Sequence, residues 1–176
     1  MVQTWFTSDL HLGHANIIKF CNRPYRDVHH MNESLIRNWN NRVKADDIVY
    51  HIGDFCFRQG PDAPKAEHWI KRLNGVIIFI NGNHDENGRN TLKTDIHSLI
   101  IHKGGKYFYL VHDPDDAENF DINLVGHVHC EWKFKTVPWD MGRRIDLINV
   151  GTDQWGYAPV SFNEMMKVYS KWKKTV

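Results

Sequence analysis

The chain has few cysteines, no marked excess of charge of either sign and no long apolar run. Its three cysteines are too few and too scattered for a disulfide framework, so we expect a reducing, cytoplasmic location. With 22 Lys+Arg against 21 Asp+Glu, the net charge is +1, and the sequence lacks the basic excess of a general nucleic-acid-binding protein. The longest apolar run, 76–80, is too short to cross a bilayer, and Asp9 interrupts the first apolar stretch, so we expect neither a membrane segment nor a signal peptide.

Linkers and repeats are also missing from the sequence. No Pro/Gly/Ser-rich segment divides the 176 residues, and this length predicts a single domain over 1–176. The sequence does contain many aromatic residues, with 7 Trp, 6 Tyr and 9 Phe, which suffice for a hydrophobic core. It also contains 12 His, and imidazole is both a common metal ligand and a proton carrier near neutral pH.

Short apolar runs alternate with longer amphipathic segments along the whole chain. The runs predict strands over 2–7, 47–52, 76–80, 99–102, 106–111, 122–125 and 145–150. The amphipathic segments predict helices over 15–20, 30–43, 63–73 and 164–173. The run at 76–80 is entirely apolar, as in a strand buried on both faces. This order predicts an α/β fold, with a two-sheet mixed β-sandwich flanked by helices.

Five polar clusters each follow one of the predicted strands. They are Asp9-Leu-His11, Gly53-Asp54, Gly82-Asn83-His84-Asp85, His112 and Gly126-His127-Val128-His129. Strand ends that face the same way form a common rim, where ligand sites of open α/β sheets lie. Each cluster alone could be a surface pair or a plain turn. All five in order, each at a strand end, favour one shared site.

The residue types in these clusters indicate metal binding. Carboxylate, imidazole and amide donors without a thiolate suit Mn, Fe or Zn. In extended backbone, the i, i+2 spacing of Asp9 and His11, and of His127 and His129, directs both side chains of a pair to one side. Seven donors are too many for one tetrahedral ion. They suit two ions that share a carboxylate and a water.

Taken together, these motifs resemble the signature of the calcineurin-like metallophosphoesterases, which are binuclear-metal hydrolases of phosphate esters. The resemblance extends from about residue 4 to 149–151 and beyond, over essentially the whole chain. It implies a four-layer sandwich of two mixed sheets and flanking helices. It also implies the ligand sets: Asp9, His11 and His129 for one metal, Asn83, His112 and His127 for the second, and Asp54 as the bridge between them. His84 would lie near the leaving group, oriented by Asp85.

The function implied is hydrolysis of phosphate esters, with phosphodiesters favoured. As a mechanism we hypothesise attack by a hydroxide that bridges the two cations, of which Mn or Fe is favoured and Zn stays open. The expected substrate is a small phosphoester, with a nucleotide among the candidates. No membrane and no dedicated nucleic-acid-binding module is expected, and the oligomeric state is left open. Protein phosphatase, pyrophosphatase and nuclease activities stay open within this class.

Two other classes of function remain alternatives. The first is a non-catalytic scaffold of the same fold that binds a partner protein, although the complete ligand set favours an enzyme. The second is a zinc storage or sensing protein, suggested only by the number of histidines.

Several polar residues outside the motifs have more than one interpretation. His14 and Arg23 are candidate substrate-phosphate contacts; the alternatives are helix capping or surface placement for His14 and a solvated face for Arg23. His51 lies inside a predicted strand and is expected to be a structural residue with satisfied hydrogen bonds. Cys56 and Cys130 are expected to be small buried hydrophobic residues.

Overall fold

Two β-sheets, five α-helices and three short 3-10 helices make up the computed structural model, which describes residues 1–58, 60, 62–86, 92 and 94–175. The strands are β1 (Thr4–Thr7), β2 (Ile48–Ile52), β3 (Val76–Ile80), β4 (Ser98–Lys103), β5 (Lys106–Val111), β6 (Ile122–Val125), β7 (Phe134–Pro138), β8 (Arg144–Asn149) and β9 (Val160–Ser161). The helices are α1 (Ala15–Phe20), α2 (Val28–Asn40), α3 (Ala66–Ile70), α4 (Asn83–Glu86) and α5 (Phe162–Trp172). The predicted α/β fold with two mixed sheets and flanking helices is confirmed.

Both sheets have parallel strands at their centre. The first sheet has the order β3-β2-β1-β9, in which β1, β2 and β3 are parallel and β9 is antiparallel. The second has the order β4-β5-β6-β8-β7, in which β5, β6 and β8 are parallel and the two outer strands are antiparallel. Because parallel strands end on the same side of a sheet, each sheet has one edge where several strand ends meet.

Hydrophobic side chains hold the layers together in three clusters. Between the two sheets, Phe6 and Ile52 of the first sheet share one cluster with Phe108 and Leu110 of the second. Another cluster joins the outer face of the first sheet to α1, α2 and α3, and a third covers the outer face of the second sheet. The sheets are therefore fixed relative to each other by an apolar core, which positions their strand ends.

Helix α2 was predicted from apolar residues that recur every four positions, and the structure confirms it. Met31, Leu35 and Trp39 are buried, as the spacing of four residues requires. The helix begins two residues before the predicted start, because the Asp27 carboxylate accepts a hydrogen bond from the His30 backbone N–H at 2.7 Å and caps it.

Other sequence expectations were wrong in detail. Strand β3 is not buried on both faces: it forms the edge of its sheet, and Val76 is 59% exposed. An apolar run does not reveal the strand order, which pairing between distant segments decides. Cys56 is buried as predicted, but Cys130 is exposed, since it lies in a turn of the loop between β6 and β7. Among the described residues, no helix is long and apolar enough to cross a bilayer.

His51 on β2 is buried, but the expectation of satisfied hydrogen bonds is wrong. Neither of its ring nitrogens has a hydrogen-bond partner within the described part of the chain. Its ring lies between apolar rings, 5.2 Å from that of Phe55 and 5.8 Å from that of Phe79. Burial lowers the pKa of His51 to about 3, so the ring is neutral.

Helix α5 is attached to the second sheet through one buried carboxylate. Asp146 of β8 accepts hydrogen bonds from Thr136 Oγ1 at 2.6 Å, Tyr169 Oη at 2.5 Å and Lys173 Nζ at 2.7 Å. Burial alone would raise the pKa of Asp146, but these hydrogen bonds outweigh it and lower the pKa below its ordinary value. The folded state therefore favours the ionised carboxylate.

We expect Asp146→Asn to lower the free energy of unfolding at pH 7 by about 1–3 kcal/mol, the range for a charged hydrogen-bonded group. Because the folded pKa is depressed, the contribution is full above the unfolded pKa of about 3.9 and is lost as pH falls through the folded value. Urea unfolding of both proteins at a series of pH values should show the difference shrinking below about pH 4. Asp121→Asn, at a carboxylate 77% exposed, is the control and should have little effect. A difference that does not change with pH would contradict this role.

Candidate metal centre

The seven predicted metal ligands all lie just beyond the carboxyl ends of parallel strands. They are Asp9 and His11 after β1, Asp54 after β2, Asn83 after β3, His112 after β5, and His127 and His129 after β6. A hydrogen bond from the Gly126 N–H to the His112 carbonyl at 3.0 Å joins the ends of β5 and β6. The ends of both sheets thus converge on one location, as the sequence pattern predicted.

The backbone turns sharply at most of these positions. Five of the seven predicted ligands have positive φ: Asp9 (57°), His11 (51°), Asp54 (59°), His127 (66°) and His129 (44°). This left-handed conformation is unfavourable for residues with a side chain and concentrates at functional sites. Hydrogen bonds between the loops, from the Asp9 N–H to the Gly53 carbonyl and from the His11 N–H to the Asp54 carbonyl, both 3.0 Å, hold it.

Two glycines allow the loops to approach the ligands closely. A Cβ atom on Gly82 would lie 2.6 Å from the Asp54 backbone N, and one on Gly126 would lie 2.7 Å from Asp9 Oδ2. Real Cβ contacts are essentially never that short, so any side chain would push the carboxylates out of place.

The first predicted ligand set, Asp9, His11 and His129, is brought together. One ligand atom from each lies within 4.8 Å of the others. Asp9 and His11 are buried, and His129 Nε2 is 3.9 Å from Asp9 Oδ1. Burial alone would lower the pKa of His129. Its hydrogen bond to Asp153 and the nearby Cys21 and Asp9 outweigh burial and raise the pKa to about 10.

The second predicted set, Asn83, His112 and His127, is also brought together. Asn83 Oδ1 lies 3.1 Å from His112 Nε2 and 3.1 Å from His127 Nδ1. The other ring nitrogen of His112, Nδ1, lies 2.8 Å from the Ile52 carbonyl, which fixes the ring. Burial alone would lower the pKa of His112, but the hydrogen bond to Asp54 and nearby carboxylate charges raise it to about 9.

Asp54 lies between the two sets. Its Oδ2 atom is 3.3 Å from His11 Nε2 and 3.5 Å from His112 Nε2, so one oxygen faces a member of each set. Burial alone would raise the pKa of Asp54, but the close approach and the charges of the His11 and His112 rings lower it well below its usual range. This is the position that the predicted bridging role requires, and the role itself stays a prediction.

The chemistry of the donors fits divalent cations. His11 Nε2 is buried and, among the described residues, has no partner with hydrogen-bond geometry, although Asp54 Oδ2 is 3.3 Å away. Burial lowers the pKa of His11, which favours the neutral imidazole that binds metals. A buried nitrogen without a hydrogen bond, facing carboxylate oxygens, is the arrangement expected of a metal ligand.

His84 and Asp85, the predicted catalytic residues, follow directly on the ligand Asn83. The His84 ring is 5.3 Å from that of His11, and its backbone N–H donates to Asp54 Oδ1 at 3.0 Å. Asp85 Oδ2 accepts hydrogen bonds from the backbone N–H groups of Asp54 at 2.8 Å and Gly82 at 2.9 Å. The Asp85 carboxylate therefore joins the loops after β2 and β3, and its predicted orientation of His84 stays a prediction.

His14 lies within the site. It is the N-cap residue of α1 but makes no side-chain capping hydrogen bond. Its ring stacks on Phe57 at 4.3 Å, and its Nδ1 is 3.5 Å from His11 Nδ1. Burial and the nearby His11 lower the pKa of His14 to about 4, so the ring is neutral. Its contact with substrate phosphate stays a prediction.

Arg23 is buried, so the solvated-face alternative is wrong. Its Nε and Nη2 atoms donate to the two carboxylate oxygens of Asp153, both at 2.8 Å. Nη2 also donates to the Asp9 carbonyl at 2.7 Å and Nη1 to the Leu10 carbonyl at 3.0 Å. Because these donors are already used within the protein, the contacts favour a structural role over the predicted substrate contact, which stays untested.

Asp153 is a site residue that the sequence analysis missed. Its Oδ2 atom lies 3.2 Å from His129 Nδ1, so it holds the ring whose Nε2 faces Asp9. It lies in the loop after β8, at the same edge as the other strand ends. The rule that located the other clusters, a polar residue following an apolar strand, would have found Asp153 if it had been applied to the last parallel strand.

Comparison with known proteins identifies relatives and a shared fold. No protein-family model matches the chain. The uncharacterized protein MJ1445 of Methanocaldococcus jannaschii is 39% identical over 176 residues, covering 98% of this chain and 94% of that protein. The gene 66 protein of Mycobacterium phage L5 is 32% identical over 191 residues, covering 89% of each.

Solved structures give the second part of the comparison. The crystal structure of AQ665, a protein of unknown function from Aquifex aeolicus, superposes with a TM-score of 0.69 at 23% identity, covering 96% of this chain and 100% of that one. YfcE, a phosphoesterase from E. coli, has a TM-score of 0.43 at 16% identity, covering 84% of this chain and 78% of that one. The Aquifex structure shows that the fold is shared over nearly the whole length.

We expect Arg23→Ala to lower the free energy of unfolding by about 3–5 kcal/mol, because it leaves the buried Asp153 carboxylate without its cation. Urea unfolding at neutral pH measures the change. Arg26→Ala removes an ion pair with Asp27 whose side chains are 76% and 51% exposed, and should cost less than about 1 kcal/mol. If Arg23→Ala and Arg26→Ala had the same free energy of unfolding, the structural role of Arg23 would be contradicted. If Arg23→Ala instead kept the wild-type stability and raised KM, Arg23 would be a substrate contact.

Proposed function

This chain belongs to the same protein family as MJ1445 and the phage L5 gene 66 protein, and we propose that it is a calcineurin-like metallophosphoesterase. It hydrolyses small phosphate esters, above all phosphodiesters, in the cytoplasm, with two divalent cations as cofactors. The observation that supports this most is the position of Asp54 Oδ2, 3.3 Å and 3.5 Å from one histidine of each ligand set.

The chain supplies a complete set of protein ligands for two cations. Asp9, His11 and His129 would hold one, Asn83, His112 and His127 would hold the other, and Asp54 would contribute to both. Nitrogen, carboxylate and amide donors favour Mn or Fe, with Zn also compatible. When bound, such a pair of ions activates water as a nucleophile and offsets the negative charge that develops on the phosphoryl oxygens.

Residues around the ligands hold this arrangement in place. Asp153 accepts from both Arg23 and His129, so the orientation of the His129 ring depends on a buried ion pair. Asp85 keeps the loop that contains Asn83 against the loop that contains Asp54 through backbone hydrogen bonds. Neither carboxylate needs to touch the substrate, because each acts by fixing residues that the proposal assigns to metal binding.

His84 carries the proton for the departing alcohol. Its side chain is half-buried beside His11, so it reaches both the site and solvent. When the bond between phosphorus and the alcohol oxygen breaks, that oxygen takes the proton from the His84 imidazolium. General acid catalysis of this kind contributes roughly 10²–10⁴-fold for leaving groups that depart as alkoxides.

Wild-type protein should hydrolyse bis-p-nitrophenyl phosphate in the presence of Mn²⁺, and Asp54→Ala should abolish turnover. The substitution removes an oxygen that both ligand sets face, so metal content should also fall, which elemental analysis after gel filtration measures. Asp121→Ala, at an exposed carboxylate, is the matched control and should retain both properties. Near-normal turnover with full metal content in Asp54→Ala would contradict the shared-ligand role. Metal binding by the wild type without hydrolysis of any ester would favour the scaffold alternative.

Replacing His84 by Gln should slow alkyl esters more than nitrophenyl esters, because nitrophenolate departs without a proton. We expect a loss of kcat of roughly 10²-fold or more for an alkyl phosphodiester and a much smaller loss for the nitrophenyl ester. The ratio of the two losses, measured on the same metal-loaded preparation, is the readout. Equal losses would assign His84 to binding or to loop structure.

A further inference from the structure

A cavity of about 300 Å³ opens beside His84, on the side of the site that holds the first ligand set. Histidines His11, His84 and His129 form its inner wall. Its outer wall includes the apolar side chains of Ile17 and Phe20 of α1 and one acidic residue, Glu131. The cavity therefore connects the proposed proton donor to a surface on which apolar side chains lie beside a single carboxylate. The buried His11, whose Nε2 lies 3.3 Å from Asp54 Oδ2, lines this same space.

Phe20 is the prominent residue of this outer wall. Its side chain is 73% exposed, whereas Ile17, one turn earlier on the same face of α1, is buried. The Phe20 ring lies 6.4 Å from the His14 ring, edge to face, and His14 in turn stacks on Phe57. A ring inserted into the cavity would cover Phe20 and find an aromatic surface already in place.

The opposite side of the site has a different character. A larger cavity of about 540 Å³ meets the site at Asn83 and His112. Its lining includes four acidic residues, Asp113, Asp115, Asp116 and Glu118. Carboxylates prefer water or a cation to an apolar ring, and the cavity on the Phe20 side has one acidic lining residue against four here. An uncharged aromatic group therefore gains more from burial on the Phe20 side. The two cavities therefore give the two arms of a phosphodiester different environments.

We propose that the cavity bounded by Phe20 binds the departing alcohol of the substrate and that Phe20 selects an aromatic one. The inference rests on the proposed phosphoesterase function and specifies its substrate class: phosphoesters whose leaving group is a flat, uncharged ring. In the reaction the P–O bond to that alcohol breaks, its oxygen leaves with the electron pair and takes up a proton, and an oxygen from water forms the new P–O bond. Phe20 touches only the ring of the leaving group, so it sets specificity by binding.

The test compares two phosphodiesters that share a methyl arm and differ in the leaving group. For p-nitrophenyl methyl phosphate, Phe20→Ala should raise KM roughly 5- to 20-fold and leave kcat nearly unchanged, because the ring is bound equally in the ground and transition states. For 2,2,2-trifluoroethyl methyl phosphate, KM should stay within about twofold. Phe20→Tyr keeps the ring and should restore the wild-type KM for the aryl ester.

A binding measurement provides a readout that does not depend on turnover. Phenylphosphonate and methylphosphonate are titrated calorimetrically into the metal-loaded protein, and Phe20→Ala should weaken only the first, by roughly fivefold or more. Tyr107→Ala removes another exposed aromatic ring, at the start of β5 and away from His112 at its end, and is the matched control. Circular dichroism should show both variants folded, since each ring lies on the surface.

The outcomes separate the two proposals. Hydrolysis of neither ester by the wild type, with Mn²⁺, Fe²⁺ or Zn²⁺, overturns the phosphoesterase function. Hydrolysis by the wild type together with an unchanged ratio of KM values in Phe20→Ala overturns the role of the cavity and leaves the phosphoesterase function intact. A rise of KM for both esters to the same extent also overturns the selection, because it would show that Phe20 shapes the whole site.

Discussion

Two buried carboxylates, Asp9 and Asp54, are the constraint on which the rest of the site depends. Each is almost fully shielded from solvent, and a buried carboxylate is costly unless hydrogen bonds or positive charge compensate it. Backbone N–H groups provide part of the compensation, from His127 to Asp9 at 3.1 Å and from His84 to Asp54 at 3.0 Å. The Ser8 hydroxyl, which donates to Asp9 Oδ2, and the histidines that face the carboxylates provide more. Divalent cations would satisfy the same requirement more fully.

The architecture explains how so many donors can occupy one location. Parallel strands of two sheets end at the same edge, and an apolar core between the sheets fixes the distance between those ends. The left-handed turns at Asp9, Asp54 and His127 then aim the side chains inward, at a conformational cost that the core and the loop hydrogen bonds offset. Stability comes from the packed layers, while strain collects where the chemistry is proposed.

The site is asymmetric, and this asymmetry links the ligand geometry to substrate choice. One side carries His84 and a largely apolar cavity that ends at Phe20; the other carries Asn83, His112 and an acidic cavity. Under the proposed function, a phosphodiester bound between the two cavities would have one orientation in which His84 and its apolar arm are on the same side. The proposal therefore includes a direction for bond cleavage.

The sequence alone determined the fold class, most strand positions and the positions of the seven predicted ligands at strand ends. These depend on local order: an apolar run, then a turn, then donors. It identified α2 from one periodic stripe for the same reason. It could not reveal that Arg23 is buried on Asp153, since the two are 130 residues apart and only folding brings them together. Nor could the sequence predict that β3 lies at the edge of its sheet or that Cys130 is exposed to solvent. Local patterns record which residues follow a strand, whereas burial and pairing depend on distant segments that only the tertiary structure brings into contact.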